Sequence, residues 1–121
     1  MKIKVGSLDT LATQAVRVRE KNICQRCQKL VVGRNSHCAH IRPRVHKQTR
    51  WYMPNLLHLC FYCHRWAHSD PLMFTEWVKG KIGEEMFLQL QIMSNETWDK
   101  DTFKWKVYLQ DFIKQEETNG R

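Results

Sequence analysis

Two Cys-x-x-Cys pairs, Cys24/Cys27 and Cys60/Cys63, set the tightest limit on how this chain can fold. Each pair presents two thiolates from one tight turn, and two such turns complete the tetrahedral four-coordinate shell of a structural zinc site. The chain between Cys27 and Cys60 must therefore leave one turn and return to the other. The fifth cysteine, Cys38, reads as a small buried residue, and whether His37 or Cys38 displaces one of the four ligands stays open. The opening Met1-Lys-Ile-Lys-Val-Gly6 has no apolar signal region, so paired cysteines point to metal rather than disulfides and to a reducing cytoplasm. No apolar run approaches the ~18 residues of a membrane span.

Charge is segregated onto the same stretch. Residues Lys21 to Ser69 hold all five cysteines, all six histidines and nine of the Lys and Arg, with no Asp or Glu. The whole chain has 20 basic and 12 acidic residues, a net +8, so the remainder is close to neutral. Positive charge concentrated among metal-type ligands points to a polyanionic partner, nucleic acid before membrane. Arg42, Arg44, Lys47, Arg50 and Arg65 are the expected phosphate contacts, which position a backbone without reading its sequence.

Periodicity and punctuation predict an α+β chain of one domain over residues 1–121: a metal-stapled core at 22–68, a helical extension at 69–116 and a disordered tail at 117–121. After a short extended lead at 1–6, Ser7 is the expected N-cap of a helix over 8–20, with Asp9 in its first turn. Leu8, Leu11, Ala15 and Val18 make its apolar face. Arg17, Arg19 and Lys21 line the far side, either as basic surface or as a solvated face. Residues 38–46 and 51–59 read as two irregular strands of a hairpin joined by a basic connector, Arg44 to Arg50. A helix over 61–68 starts at the second cysteine pair. Asp70 and Pro71 open another, which Gly80 is expected to end. Two more run over about 83–93 and 102–116, the last with Trp105, Tyr108, Leu109 and Phe112 as its stripe.

Zinc accounts for the cysteines but not for His40, Asn55, His64 and His68. His64 and His68, four apart, put two imidazoles on one helical face, a spacing that suits a metal. Their order along the chain adds more. The run Ala39-His40-Ile41-Arg42-Pro43, then Pro54-Asn55-Leu56, then Cys60-x-x-Cys63-His64 resembles the HNH (His-Me finger, ββα-metal) endonuclease family. Arg50-Trp51-Tyr52-Met53-Pro54-Asn55 and Cys63-His64-Arg65-Trp66-Ala67-His68-Ser69-Asp70-Pro71 are similar to small phage NinG-like recombination-associated members, over roughly residues 8–93. The resemblance implies a zinc-stapled ββα-metal core with one N-terminal and about three C-terminal helices. It implies hydrolysis of DNA phosphodiester bonds, with His40 as general base, Asn55 bracing the loop that carries it, and His64 holding a catalytic divalent metal. His68 would assist as a second ligand. It also implies phage recombination or packaging proteins as further partners, within a host cytoplasm.

One position departs from that family. Many members carry an acidic or His ligand just before the base, where this chain has Ala39. With no acid nearby in sequence, the metal rests on His64 with His68, His37 being a further candidate, plus water and the DNA phosphate; of Mn²⁺, Ni²⁺, Co²⁺ and Mg²⁺, the first three are expected to support cleavage better than Mg²⁺. Ala39 is also the best argument for a rival, a zinc-stabilised DNA-binding module without catalysis; a second rival is an assembly subunit without catalysis, with the aromatic C-terminal helices as its interface.

Overall fold

The computed structural model describes residues 6–119, so the expected lead over 1–5 and the last two residues of the tail lie outside the described residues. Among the described residues the fold is α+β: six α-helices and one two-stranded antiparallel sheet. Helix α1 (Ser7–Glu20) precedes strand β1 (Ser36–His40). A long connection containing the single-turn helix α2 (Lys47–Arg50) leads to β2 (Leu56–Cys60), and α3 (Phe61–Ser69) follows directly. Helices α4 (Pro71–Ile82), α5 (Glu84–Ser94) and α6 (Thr102–Asn119) complete the chain. Among the described residues, no helix is long and apolar enough to cross a membrane.

The strands are shorter than the hairpin expected from sequence and lie partly elsewhere. Ser36 pairs with Cys60, Cys38 with His58 and His40 with Leu56. Beyond His40 the ladder survives one more step, Ile41 N–H to the Asn55 carbonyl at 2.9 Å. It then stops because Pro43 has no N–H to give and the Asn55 side chain takes over the partners.

A period of two divides the sheet between two cores. Leu57, Leu59 and Ala39 pack with Cys24, Cys60, Cys63, Ala67 of α3, Val78 of α4 and Leu90 of α5. Leu56 packs on the other side with Ala12, Ala15 and Val16 of α1 and with Trp105, Leu109 and Ile113 of α6. Every residue of β2 is buried, which a two-stranded sheet achieves only when covered by helices on both faces.

Several boundary expectations are corrected. Gly6, not Ser7, caps α1, and the Asp9 carboxylate accepts the Gly6 N–H at 2.8 Å. Gly80 does not end α4; the helix runs on to Ile82 and stops at Gly83, whose φ of 89° leaves the helical region. Residues 117–119 of the expected tail are the last turn of α6. Arg17 and Arg19 do not join the basic surface. Arg17 Nε donates to Ser36 Oγ at 2.8 Å, and Arg19 donates to the carbonyls of Met53 (2.9 Å) and Leu56 (2.7 Å).

Leu109 sits at the centre of the α1–α6 core with no exposed surface. Leu109→Ala should cost about 2–5 kcal/mol of unfolding free energy, the usual range for a buried leucine truncation. Denaturant titration of both proteins checks this.

Candidate active site

The first cysteine pair lies on a turn closed by Cys24 N–H to the Lys29 carbonyl and Gln28 N–H to the Cys24 carbonyl, each 2.9 Å. The second pair straddles the start of α3. In both, the backbone N–H of the second cysteine points at the sulfur of the first: Cys27 to Cys24 at 3.5 Å and Cys63 to Cys60 at 3.4 Å. Donors aimed at sulfur favour thiolate. Burial pushes the Cys24 thiol up, but the N–H groups of Cys27, Cys60 and Arg26 outweigh it and bring it to about 7.

The ligand atoms of Cys24, Cys27, Cys60 and Cys63 all lie within 4.8 Å of one another. Bonds of about 2.3 Å at tetrahedral angles place sulfurs about 3.8 Å apart. Cys27 and Cys60 sulfurs are 3.8 Å apart, so the quartet fits a metal ion. Cys38 is not part of it; it packs against the α1–α6 core, where burial raises its thiol to about 12.

A cleft of about 860 Å³ opens beside this centre. His37 and His40 of β1 line it, with His64 and His68 of α3 and Arg44 of the connection. Strand alternation sends His40 to the α1 side and His37 to the α3 side, where its ring lies 5.1 Å from that of His64. The Nε2 of His37 is buried there without a hydrogen-bond partner. Nε2 of His64 and Nε2 of His68 are 3.1 Å apart. That is hydrogen-bond distance, and it brings the two imidazoles together on one face of α3. Burial, then the charges of His68, His37 and Arg44, push His64 down to about 4, which favours the neutral ring a metal needs.

His40 is held differently. Its Nε2 lies 3.0 Å from the Arg50 carbonyl, which can only accept. Nε2 therefore carries the proton and Nδ1 keeps its lone pair. Burial pushes His40 down to about 4, although the Arg50 carbonyl pulls it up, so it is a neutral base at pH 7.

Asn55 is fully buried and ties the connection together. Its Oδ1 accepts the Arg42 N–H at 2.7 Å, and its Nδ2 donates to the carbonyls of Arg42 (3.1 Å) and Thr49 (3.0 Å). Both ends of the connection leaving His40 thus hang on one side chain.

The expected phosphate contacts separate. Arg44 lines the cleft, and Lys47 and Arg65 are exposed. Arg42 is half-buried, with Nε on Ser94 Oγ at 2.9 Å. Arg50 is a correction: it is 6% exposed and its guanidinium lies on Asp9, Nε to Oδ1 at 2.9 Å and Nη2 to Oδ2 at 2.6 Å. It is spent inside the protein because burying its charge needs a charged partner. Asp70 does not reach the cleft; it accepts the Met73 N–H as the cap of α4. Sequence reasoning took Asp9 only as a helix-terminus charge. No local spacing links it to Arg50, 41 residues away.

Compared with known proteins, the chain matches no family model, no curated protein and no solved structure.

Replacing Cys24 by Ser should remove stoichiometric metal and lower the thermal midpoint sharply, because metal binding by such a quartet contributes directly to folding. Elemental analysis and thermal melts of the purified proteins measure both. Well-folded wild-type protein without metal would contradict the four-cysteine site.

Proposed function

We propose that this chain is a metal-dependent endonuclease of the HNH type, hydrolysing DNA phosphodiester bonds, with zinc in the four-cysteine centre and a second divalent ion on His64 and His68. The observation that carries the reading is that His40 of β1 and His64 and His68 of α3 line one cleft. DNA binding alone needs none of the three.

In this reading, His40 takes a proton from the attacking water through Nδ1, while the Arg50 carbonyl holds the Nε2–H. Asn55 keeps the segment after His40 in place, so the base does not drift from the scissile bond. Arg44 is placed to hold a phosphate at the mouth of the cleft, with Lys47 and Arg65 contacting the backbone further out. The divalent ion, when bound, supplies charge stabilisation for the phosphate and the departing 3′ oxygen.

The donor set favours a borderline metal over a hard one. Ala39, just before the base, is packed in the core and has no ligand atom. Asp9 is the one carboxylate lining the cleft, and its oxygens are taken by Arg50, Trp51 and Gly6. Two imidazoles with water and phosphate suit Mn²⁺, Ni²⁺ or Co²⁺ better than Mg²⁺, and Ca²⁺ least. Cleavage rates across these ions should follow that order, and His64→Ala should abolish metal-dependent cutting. Equal rates in Mg²⁺ and Mn²⁺, with His64→Ala still active, would remove the metal from these histidines.

His40→Ala separates an enzyme from a binding module. Cleavage should fall by about 100-fold or more, as for loss of a general base. DNA affinity and thermal midpoint should barely change. Because burial holds the His40 ring down at about 4, wild-type kcat/KM should not drop as pH falls through 6.5 and should be lost only toward pH 4–5, where the ring takes up a proton. A wild-type chain that binds DNA and cuts none with any ion would leave the binding-module reading instead.

A further inference from the structure

The buried pair of Asp9 and Arg50 lies one residue's backbone away from the proposed base. Asp9 is 8% exposed, and its carboxylate accepts four hydrogen bonds: Arg50 Nε and Trp51 Nε1 on Oδ1 (2.9 and 3.0 Å), and Arg50 Nη2 and Gly6 N–H on Oδ2 (2.6 and 2.8 Å). A carboxylate has about four acceptor sites, so Asp9 has none left for a metal or a phosphate-bound water. Burial pushes its carboxyl up, but Arg50, Gly6 and Trp51 more than offset this and keep it charged. Breaking such a pair is costly, yet an apolar replacement of similar volume is often as stable. The pair therefore calls for a role beyond stability.

Its position supplies one. Arg50 is the last residue of α2, a single turn of four residues that has little helical stability of its own. Asn55 holds the carbonyl of Thr49 but not that of Arg50. The Arg50 peptide is held by the Trp51 N–H on the Thr49 carbonyl, and the side chains on both sides of it, Arg50 and Trp51, are anchored on α1 through Asp9. The carbonyl of that residue receives the His40 Nε2–H at 3.0 Å. We propose that Asp9 is a positioning residue for His40: through Arg50 it sets the carbonyl that keeps the proton on Nε2 and the lone pair on Nδ1 of a ring that lines the cleft. This rests on reading His40 as the base, and it makes α1 part of the catalytic apparatus rather than only its cover.

The test uses the full chain with its metal. Ring ¹⁵N spectra report the tautomer of His40, assigned with H40A, whether or not the chain cuts DNA. Wild type should show His40 as the Nε2–H tautomer alone. D9N keeps the shape but loses the charge; it should show a mixture of tautomers, a kcat about 10-fold lower and a KM for DNA within about 2-fold. The neutral double variant D9N/R50Q, in which an amide pair can re-form the contact, should recover part of the tautomer preference. If D9N does not fold, W51F removes one of the four hydrogen bonds and should shift the tautomer the same way by a smaller amount. A folded D9N or W51F with His40 wholly in the Nε2–H form overturns the proposal. A wild-type chain with the expected tautomer and no cleavage overturns the reading of His40 as base and leaves the Asp9 linkage standing.

Discussion

Four sulfur atoms drawn to within 4.8 Å of one another are the constraint on which the rest of this structure leans. Cys60 is both the last residue of β2 and the cap of α3, and Cys63 sits in the first turn of that helix. The quartet thus fixes where the strand stops, where the helix starts and how that helix is rotated. His64 follows Cys63 directly, and His68 is one turn on, so the rotation that aims Cys63 at the centre also sets the direction of both histidines. The first turn is held to the strand without the metal too: Gln25 N–H donates to the His58 carbonyl and Gln25 Oε1 accepts the His58 N–H, both at 2.8 Å. Arg26 spreads over the Trp66 ring at 3.6 Å and reaches the Cys63 sulfur at 3.5 Å, bringing positive charge to the cysteine cluster.

A two-stranded sheet is marginal alone, and here it is secured by buried polar side chains as much as by apolar packing. His58, fully buried, donates from Nδ1 to the Ile23 carbonyl at 2.8 Å, so its Nε2 accepts from Ser36 Oγ at 2.7 Å. Arg17 then donates to that same hydroxyl, which links α1, both strands and the first cysteine turn in one chain of bonds. Burial lowers the His58 pKa, consistent with a neutral ring that needs one donor and one acceptor. Arg19 serves the carbonyls where β2 begins, and Asn55 serves those where β1 ends. The polar groups left by short strands are satisfied by side chains, Arg19 from distant α1 and Asn55 from just before β2, as burial demands.

That division explains what could be read from the residues alone. The cysteine quartet was legible because each half is local: two ligands three apart on one turn. So were α3, α4, α5 and α6, whose apolar stripes and the Asp70-Pro71 start are local signals, and the imidazole pair of His64 and His68, which needs only helical spacing. The strand limits were not legible, since they depend on where Asn55 intercepts the ladder. Ser7 looked like a cap by residue type, yet the cap follows from Asp9 reaching back to the Gly6 N–H. Gly80 looked like a stop, but a glycine costs a helix only about 1 kcal/mol, and the left-handed turn falls at Gly83 instead. Arg50 was misassigned because nothing local distinguishes an arginine bound for the surface from one whose partner lies on another helix.

The same point changes how the positive charge is to be weighed. Formal charge made the stretch from Lys21 to Ser69 look uniformly open to a polyanion. In the folded chain, Arg50 is neutralised by Asp9, Arg26 lies against the cysteine cluster, and Arg42 is engaged with Ser94. With a divalent ion bound, four thiolates would carry −2 in total and offset part of what remains. Six cations of the stretch are left for a phosphate backbone: Arg44 at the cleft, and Lys21, Lys29, Arg34, Lys47 and Arg65 exposed outside it. Affinity for DNA should then depend on which of these lie near the strand being held, more than on net charge. The arginines withdrawn into the interior act instead on geometry, fixing the strands and the loop on which His40 depends.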